Sequence, residues 1–447
     1  MSKSPNERSC AAPPARAFWH TGKSPVVDST SVSSFRARLS RGALWLTGGS
    51  AVAVIFSIAA SQILLAAALV TLLFSETEVR LPPLRLPLAL FILATLASLA
   101  FSADPAAGVP QVRKFFVWFI LLVVYSTFRQ TAHLRRLVLC WGGAGALVAA
   151  RSLVQFGEKY REARFAGYDF YEYYLGERIS GFMSHWMTFG GQVMVVSLLL
   201  AAFLFFSPSA RRKNLWYALL CLLMLALSLL FGFTRSIWLG AAAAGLYLLA
   251  AWRPRLLWLA PLLAVAGAWL APPAVRSRVV SVIQPRGTVD SNQHRIVCWR
   301  TGWEMIKAHP WLGVGPEQVR VQFDRWVPPD IPRPLPTGWY GHLHSIYVHY
   351  AAERGVPAML ILVWLLVKML LDFLGALRRL PRGPCEERFL LHGAVAVVIA
   401  IMVSGALELN LGDSEVLTLF LAVAACGYAA WDRAAPQSAP APAPPLP

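Results

Sequence analysis

The residues best suited to chemistry lie in the segment from Gly341 to Gly355, Gly-His-Leu-His-Ser-Ile-Tyr-Val-His-Tyr-Ala-Ala-Glu-Arg-Gly. His344 and Arg354 stand where a long polar stretch meets an apolar run. Ionisable groups at the edge of a bilayer are costly enough that their presence indicates function. An imidazole titrates near neutrality, so His344 is suited to take a proton from a hydroxyl group. The alternative is an interfacial histidine that bonds only a headgroup or a carbonyl.

Three arginines are candidate partners of that histidine: Arg178, Arg235 and Arg295. Each precedes an apolar helix or lies on an amphipathic one, and Arg235 has no acidic neighbour in sequence. Guanidinium groups bind phosphate oxygens with two parallel hydrogen bonds, which a lysine cannot imitate. The pattern therefore predicts a phosphate-bearing substrate. The alternative for each is an anchor that snorkels to the membrane surface.

The composition limits the class of protein. Of the 447 residues, 57% are hydrophobic and only 14% charged, which predicts an all-α polytopic membrane protein surrounded by membrane lipids. The formal charge of +18 comes largely from short loops, where it sets topology, so we expect no nucleic-acid partner. The six cysteines show neither paired nor metal-ligand spacing, so we predict no metal, disulfide or cofactor.

Apolar runs long enough to cross a bilayer number about twelve. The predicted spans are 42–57, 60–75, 86–102, 113–128, 134–156, 187–206, 214–231, 235–252, 255–271, 355–375, 389–407 and 412–431. The first two could instead form one long broken helix, because 42–74 is nearly uninterrupted.

Loop charges predict the orientation of these spans. Basic residues recur in alternate loops, whereas the short opposite loops 102–111 and 408–415 contain no Lys or Arg. This alternation predicts cytoplasmic termini. The segments 157–186 and 272–343 then lie outside, in the periplasm of a Gram-negative cell.

The resulting division has five parts. The predicted parts are a disordered cytoplasmic tail (1–41), helices one to nine (42–271), a large periplasmic loop (272–343), a re-entry segment with helices ten to twelve (344–431), and an Ala/Pro-rich cytoplasmic tail (432–447).

The large loop carries its own helix signal. Asp290-Ser-Asn is suited to cap a helix from about Gln293 to Ala308, with Ile296, Trp299, Trp303 and Ile306 as its apolar stripe. The loop's tryptophans are suited to stack on sugar rings, but an interfacial belt is the favoured interpretation. We expect Glu408, Asp413 and Glu415, on a short outer loop, to be solvated.

Four segments in order resemble the O-antigen ligase and polymerase superfamily of bacterial inner-membrane proteins. They are Arg178-Ile-Ser-Gly-Phe, Thr234-Arg-Ser-Ile-Trp, the stretch from Asn292 to Gly315, and the stretch from His342 to Gly355. The ligase signature is His, then Asn, Ser or Gln, nine residues, Gly, two residues, and Gly, Thr or Tyr. His344, Ser345 and Gly355 fit it, whereas Ala358 departs from the last position.

The resemblance implies a glycosyltransferase C (GT-C) type membrane fold. It also implies O-antigen ligase activity, in which a glycan moves from undecaprenyl diphosphate to a hydroxyl of lipid A-core without a metal or cofactor. By position His344 matches the catalytic histidine, and Arg235 and Arg295, with Arg178, match the diphosphate-binding arginines. Candidate acceptor or sugar contacts are His342, Arg300 and Trp303.

Two alternatives stay open at this stage. A polymerase would use a second lipid-linked repeat as acceptor, because ligases and polymerases share much of this pattern. A polysaccharide or lipid transporter also needs many spans and intramembrane charge. The selected charges, however, gather on one side of the predicted membrane, and no midplane acidic residue stands out.

Overall fold

The computed structural model of this chain describes residues 29–211, 213–281 and 291–434. Within these ranges the protein is helical and contains no β-strand. The helices are α1 Ser29–Ala53, α2 Ile58–Leu73, α3 Arg85–Ala100, α4 Pro105–Arg113, α5 Phe119–Thr127, α6 Thr131–Ala166, α7 Phe170–Gly176, α8 Trp186–Phe206, α9 Lys213–Phe231, α10 Arg235–Trp252, α11 Ala260–Leu270, α12 Pro273–Val280, α13 Ser291–Ala308, α14 Gln318–Trp326, α15 Ile346–Arg379, α16 Glu386–Gly405 and α17 Ser414–Ala434. The predicted tail residues 1–28 and 435–447 lie outside the described ranges.

Seven segments in the described ranges are long and apolar enough to cross a membrane. They are the run from Pro105 to Thr127, which contains α4 and α5, and the helices α6, α8, α9, α15, α16 and α17. Three further apolar helices are shorter: Ile58–Leu73, Arg85–Ala100 and Pro254–Gly267. The protein is thus an all-helical, multi-span membrane protein.

Several helix bounds differ from the sequence-based predictions. Helix α1 begins at Ser29, inside the predicted tail, and residues 54–57 separate it from α2, so the first two spans are distinct helices. Helix α6 continues to Ala166, into the segment predicted as an outer loop. Polar side chains do not end a helix unless the backbone breaks, and α6 ends only at Gly167, whose φ of +71° is left-handed.

Helix α16 lies at the centre of the apolar core. It packs against α8, α10, α15 and α17, and its buried face includes Leu391, Ala394 and Val398. Because α8, α16 and α17 are enclosed on most sides, apolar residues surround these helices rather than forming one stripe. This core fixes the end of α16, after which the chain enters the short loop that carries Glu408.

A second, smaller apolar core holds the polar segment together. Val297, Cys298 and Met305 of α13 pack with Phe323 of α14 and with Leu343. We call residues 291–343 the polar subdomain. The predicted helix over 293–308 is confirmed here as α13, and its inner face packs against α15.

The backbone of the polar subdomain docks directly on α15. Val314 N–H donates to Ala352 O (2.8 Å), Gly315 N–H to Glu353 O (2.9 Å), and Val356 N–H to Pro310 O (2.8 Å). Gly355 kinks α15 with a φ of +84°, and a Cβ there would lie 2.1 Å from Trp311 O. Glycine is required at this position by both the conformation and the close approach.

Candidate active site

His344 lies immediately before α15, at the junction of the two cores. Its φ of +47° is left-handed, and the next residue, Ser345, caps the helix by accepting from Val348 N–H (3.4 Å). A left-handed non-glycine residue stores strain and is typical of functional sites. The imidazole is buried, and its Nε2 atom has no hydrogen-bond partner in the described part of the chain.

Glu408 joins His344 to Arg295. Its Oε2 lies 3.3 Å from His344 Nδ1, and its Oε1 pairs with Arg295 Nη2 and accepts from Ser236 Oγ (3.3 Å). Arg295 Nε also donates to Leu407 O (3.2 Å). The prediction that Glu408 is solvated is wrong: its side chain is 2% exposed. A charge buried so deeply needs these partners, because an unpaired one would carry a large desolvation cost.

The electrostatics keep Glu408 ionised. Burial raises the pKa of Glu408, but the nearby Arg295 and the hydrogen bond with His344 outweigh burial and bring the pKa down to about 2. An ionised carboxylate beside Nδ1 favours the tautomer that carries its proton on Nδ1. That tautomer leaves the lone pair of Nε2 available as a base.

Two further imidazoles surround His344. The ring of His342 lies 4.1 Å from that of His344, and its Nδ1 accepts from His344 N–H (3.2 Å). The ring of His294, from α13, lies 4.9 Å away on another side. Burial, followed by the neighbouring His344, lowers the pKa of His342 to about 3 and that of His294 to about 4. Both rings therefore stay neutral at physiological pH.

Arg235 begins α10 and is held by the chain that follows α12. Its Nη1 donates to Ser281 O (2.9 Å), and its Nη2 donates to Asn292 Oδ1 (2.7 Å). These bonds tie the start of α13 to α10. They fix the direction of the guanidinium.

Arg178 is the least satisfied of the predicted arginines. Its Nε donates to Leu175 O (3.2 Å) and its guanidinium lies 4.9 Å from the Trp186 ring, while Nη1 and Nη2 have no hydrogen bond to a described residue. Burial, with the nearby Arg278 as a further cause, lowers the pKa of Arg178 to about 9. Arg178 is still a cation at pH 7, and a bound anion would relieve the repulsion.

Arg278, from α12, is a fourth arginine that the sequence interpretation did not select. It is buried, and its Nε donates to Phe233 O (2.9 Å). Burial lowers the pKa of Arg278, and Arg295 adds to that effect. Arg178, Arg278 and Arg295 thus share an electrostatic neighbourhood in which Glu408 is the acidic group acting on all three. This positive excess suits a diphosphate.

Of the three predicted acceptor or sugar contacts, one lies beside His344 and two lie on the surface. His342 lies beside His344, as described above. Arg300 instead pairs with Asp330 on the surface (2.7 Å), and Trp303 is 58% exposed. Neither makes a described contact with His344 or Glu408.

A cavity of about 230 Å³ opens next to His342. Its lining includes Gln111, Lys114, Trp339, Arg354 and Asp413. Lys114 donates to Gly412 O (3.1 Å), and Arg354 donates to Thr95 Oγ1 (3.3 Å) and Gln111 Oε1 (3.2 Å). Neither cation has a carboxylate oxygen within ion-pair distance among the described residues. Donors, acceptors and an exposed indole together suit a sugar ring.

One group of potential metal ligands lies in the same region. His294, Cys298 and His344 each offer a ligand atom, and the three atoms lie within 4.8 Å of one another. No such group was expected from the sequence, because the cysteines show no metal-ligand spacing. His294 and Cys298 are one helical turn apart, but the third member comes from a distant segment.

The class defined by this fold and site is a multi-span helical membrane protein with a buried His–Glu–Arg cluster beside several arginines. Comparison with protein families then identifies the relationship: residues 219–363 match the Wzy_C model, described as O-Antigen ligase. The match includes Arg235, Arg295 and His344, and it confirms the resemblance to the O-antigen ligase superfamily. Ligase- or polymerase-type glycosyl transfer is therefore the general kind of function supported. No curated protein matches the chain.

Proposed function

We propose that this protein is an O-antigen ligase that transfers a glycan from undecaprenyl diphosphate to a hydroxyl of lipid A-core. The observation that carries the proposal is the hydrogen-bonded series Arg295–Glu408–His344, in which His344 Nε2 has no hydrogen-bond partner among the described residues. A carboxylate that orients an imidazole whose second nitrogen is free is the arrangement expected of a general base.

In the proposed reaction the acceptor oxygen attacks the sugar carbon bonded to diphosphate. His344 Nε2 takes the hydroxyl proton, the new glycosidic bond forms, and the bond to the diphosphate oxygen breaks. A single displacement inverts the configuration of that carbon. Negative charge develops on the departing undecaprenyl diphosphate, and arginines stabilise that charge. Protein groups supply each of these roles, so the proposal assigns none to a metal or cofactor.

The arginines contribute differently to binding the diphosphate and stabilising its charge. The terminal nitrogens of Arg178 make no hydrogen bond to a described residue, so this arginine is the best placed to bind the diphosphate directly. Arg235 is held in a fixed direction by Ser281 and Asn292, so it is preorganised for the same ligand. Arg295 has one nitrogen engaged by Glu408 and another by Leu407, so it both positions Glu408 and adds positive charge.

The acceptor sugar enters through the cavity beside His342. At about 230 Å³ this cavity is smaller than the roughly 300–1,000 Å³ typical of drug-sized ligands, which suits one sugar ring. His344 Nε2 is buried, so His342 or Trp339 must shift before a hydroxyl can reach it. Such tightening on substrate binding is common at catalytic sites.

Twelve spans and a GT-C architecture remain part of the proposal. The seven long apolar segments become twelve when α1, α2, α3, α10 and the run 254–270 are added. The protein would lie in the bacterial inner membrane with the polar subdomain in the periplasm.

A single cysteine in place of the exposed Trp311 should react with an impermeant probe from outside intact spheroplasts, and labelling only after lysis would refute this orientation.

Reconstitution tests the function. Purified protein is supplied with an undecaprenyl-diphosphate-linked glycan and either lipid A-core or a second lipid-linked repeat. Product on lipid A-core supports the ligase, and chain extension alone supports the polymerase. Absence of covalent product with both acceptors, together with movement of the donor across vesicles, would favour a transporter.

A further inference from the structure

The cluster of His294, Cys298 and His344 has the composition of a metal site. Zn²⁺ prefers imidazole nitrogen and thiolate sulfur, with Zn–N near 2.1 Å and Zn–S near 2.3 Å, so its ligand atoms stand about 3.4–3.6 Å apart. Here the three ligand atoms already lie within 4.8 Å of one another, so shifts on the order of 1 Å would close the site.

The local sequence supports the geometry. His294 and Cys298 stand four residues apart on α13, which places both on one face of the helix. The same spacing brings two zinc ligands together in other helical metal motifs. Leu343 packs with Cys298 in the second core, which brings the following residue, His344, to that face.

The buried ring nitrogens of the two histidines are independent evidence for a ligand at this site. His294 is more than nine-tenths buried and the His344 side chain is 11% exposed, and the Nε2 atom of each lacks a hydrogen-bond partner among the described residues. Cys298 is fully buried. Buried polar atoms are nearly always satisfied, so two unsatisfied imidazole nitrogens beside one thiol require an explanation.

A carboxylate completes the arrangement. Glu408 Oε2 lies 3.3 Å from His344 Nδ1, so His344 is oriented to offer Nε2, as in the carboxylate–histidine–zinc series of metal sites. Arg295 opposes a cation in this neighbourhood, but Glu408 pairs with it and offsets its charge.

We propose that His294, Cys298 and His344 form a binding site for a thiolate-preferring divalent cation of the Zn²⁺ type, and that the bound ion inhibits the enzyme. The inhibition rests on the proposed function: the ion occupies the Nε2 lone pair that would accept the acceptor proton. Binding requires only the cluster itself. Hard cations such as Mg²⁺ prefer oxygen ligands and should neither bind there nor inhibit.

Binding is tested on the purified full-length protein with Co²⁺ as a spectroscopic substitute and Zn²⁺ in competition with a chromophoric chelator. Wild type should bind one ion and show a thiolate-to-cobalt charge-transfer band. Cys298→Ser should lose the band and bind Zn²⁺ at least ~10-fold more weakly. The matched control Cys385→Ser, in the loop before α16, should behave as wild type. Equal Zn²⁺ affinity in wild type and Cys298→Ser would overturn the site.

Inhibition is tested separately in the transfer assay. Zn²⁺ should inhibit wild type, and EDTA should restore its rate. Cys298→Ser should retain activity while needing at least ~10-fold more Zn²⁺ for half-inhibition. Comparable melting temperatures for the two proteins exclude misfolding as the cause. Stimulation by Zn²⁺, or equal inhibition of both proteins, would overturn the inhibitory role. A wild type that binds Zn²⁺ but transfers no glycan would refute the proposed function and leave the metal site standing.

Discussion

Glu408 Oε2 lies 3.3 Å from Nδ1 of His344, although 64 positions separate the two residues in sequence. Glu408 lies in the loop after α16, and His344 lies two residues before the start of α15. The packing of α15 on α16 therefore determines whether the pair forms. This contact links the apolar core directly to the proposed chemistry.

Replacing Glu408 with Gln should lower kcat about 10²- to 10⁴-fold. The amide keeps the shape of the side chain but can donate to Nδ1, which favours the wrong tautomer of His344. Initial rates at saturating donor measure the effect. Glu415→Gln, further along the chain and outside the cluster, is the control and should retain wild-type kcat. Equal rates for Glu408→Gln and wild type would remove Glu408 from the mechanism.

Replacing Arg178 with Ala should raise the KM for the lipid-linked donor about 10- to 100-fold, because charged hydrogen bonds contribute about 1.5–3 kcal/mol. Lys should restore little of the loss, since it lacks the planar two-donor geometry. Donor titrations check this. Arg320→Ala, an exposed arginine of α14, should leave the donor KM unchanged. A normal donor KM for Arg178→Ala would argue that Arg178 does not contact the diphosphate.

Acidification from pH 7 to 5 should lower the stability of the folded protein. The pKa values of His342 and His294 are about 3 and 4 when folded, against roughly 6.5 unfolded, so in this window the unfolded chain binds more protons. The free energy of unfolding then falls as the pH falls. Asp413 acts in the opposite direction, because burial raises its pKa to about 6. Glu408, with a pKa of about 2, loses its contribution only below this window.

Melting temperatures in detergent between pH 7.5 and 5 measure this dependence. His342→Asn removes one titrating group while keeping an acceptor for His344 N–H, so the dependence should become shallower. Asp413→Asn should make it steeper. An unchanged slope in His342→Asn would show that this histidine is not buried in neutral form.

Replacing Gly355 with Ala should destabilise the protein by about 1–3 kcal/mol. The new Cβ would lie 2.1 Å from Trp311 O at a φ of +84°, so the docked segment 310–315 would have to move. Gly375→Ala, further along α15, is the matched control because nothing lies within 4 Å of its added Cβ. It should keep or slightly raise the melting temperature. Equal melting temperatures for the two variants would contradict the docking of segment 310–315 on α15.

The features predicted correctly from sequence are those encoded locally. Helix α13 was predictable from α-helical periodicity, but the predicted apolar stripe is not its packed face: Ile296 and Trp303 are exposed, whereas Val297, Cys298 and Met305 are buried. Likewise, the apolar runs predicted a multi-span helical protein, and the seven long segments confirm that class. His344 and the arginines were selected because charge at a bilayer edge is unusual in any sequence, and their roles in the site stay predictions.

What was missed depends on contacts between distant segments. Glu408 resembles any acidic residue of a short polar loop, and only the approach of Arg295 and His344 shows that it is buried. Arg278 similarly resembles a topological loop charge. The grouping of Cys298 with His344 follows from the packing of α13 beside α15, which no spacing rule encodes.

The central claim is that His344 is the general base, and His344→Ala tests it most directly. Purified variant and wild type are compared for turnover with donor and acceptor, and for binding of the lipid-linked donor alone. Turnover should fall about 10²- to 10⁴-fold, the usual contribution of a general base, while donor affinity stays close to wild type. Near wild-type turnover in His344→Ala would contradict the account and leave only a phosphate-binding pocket.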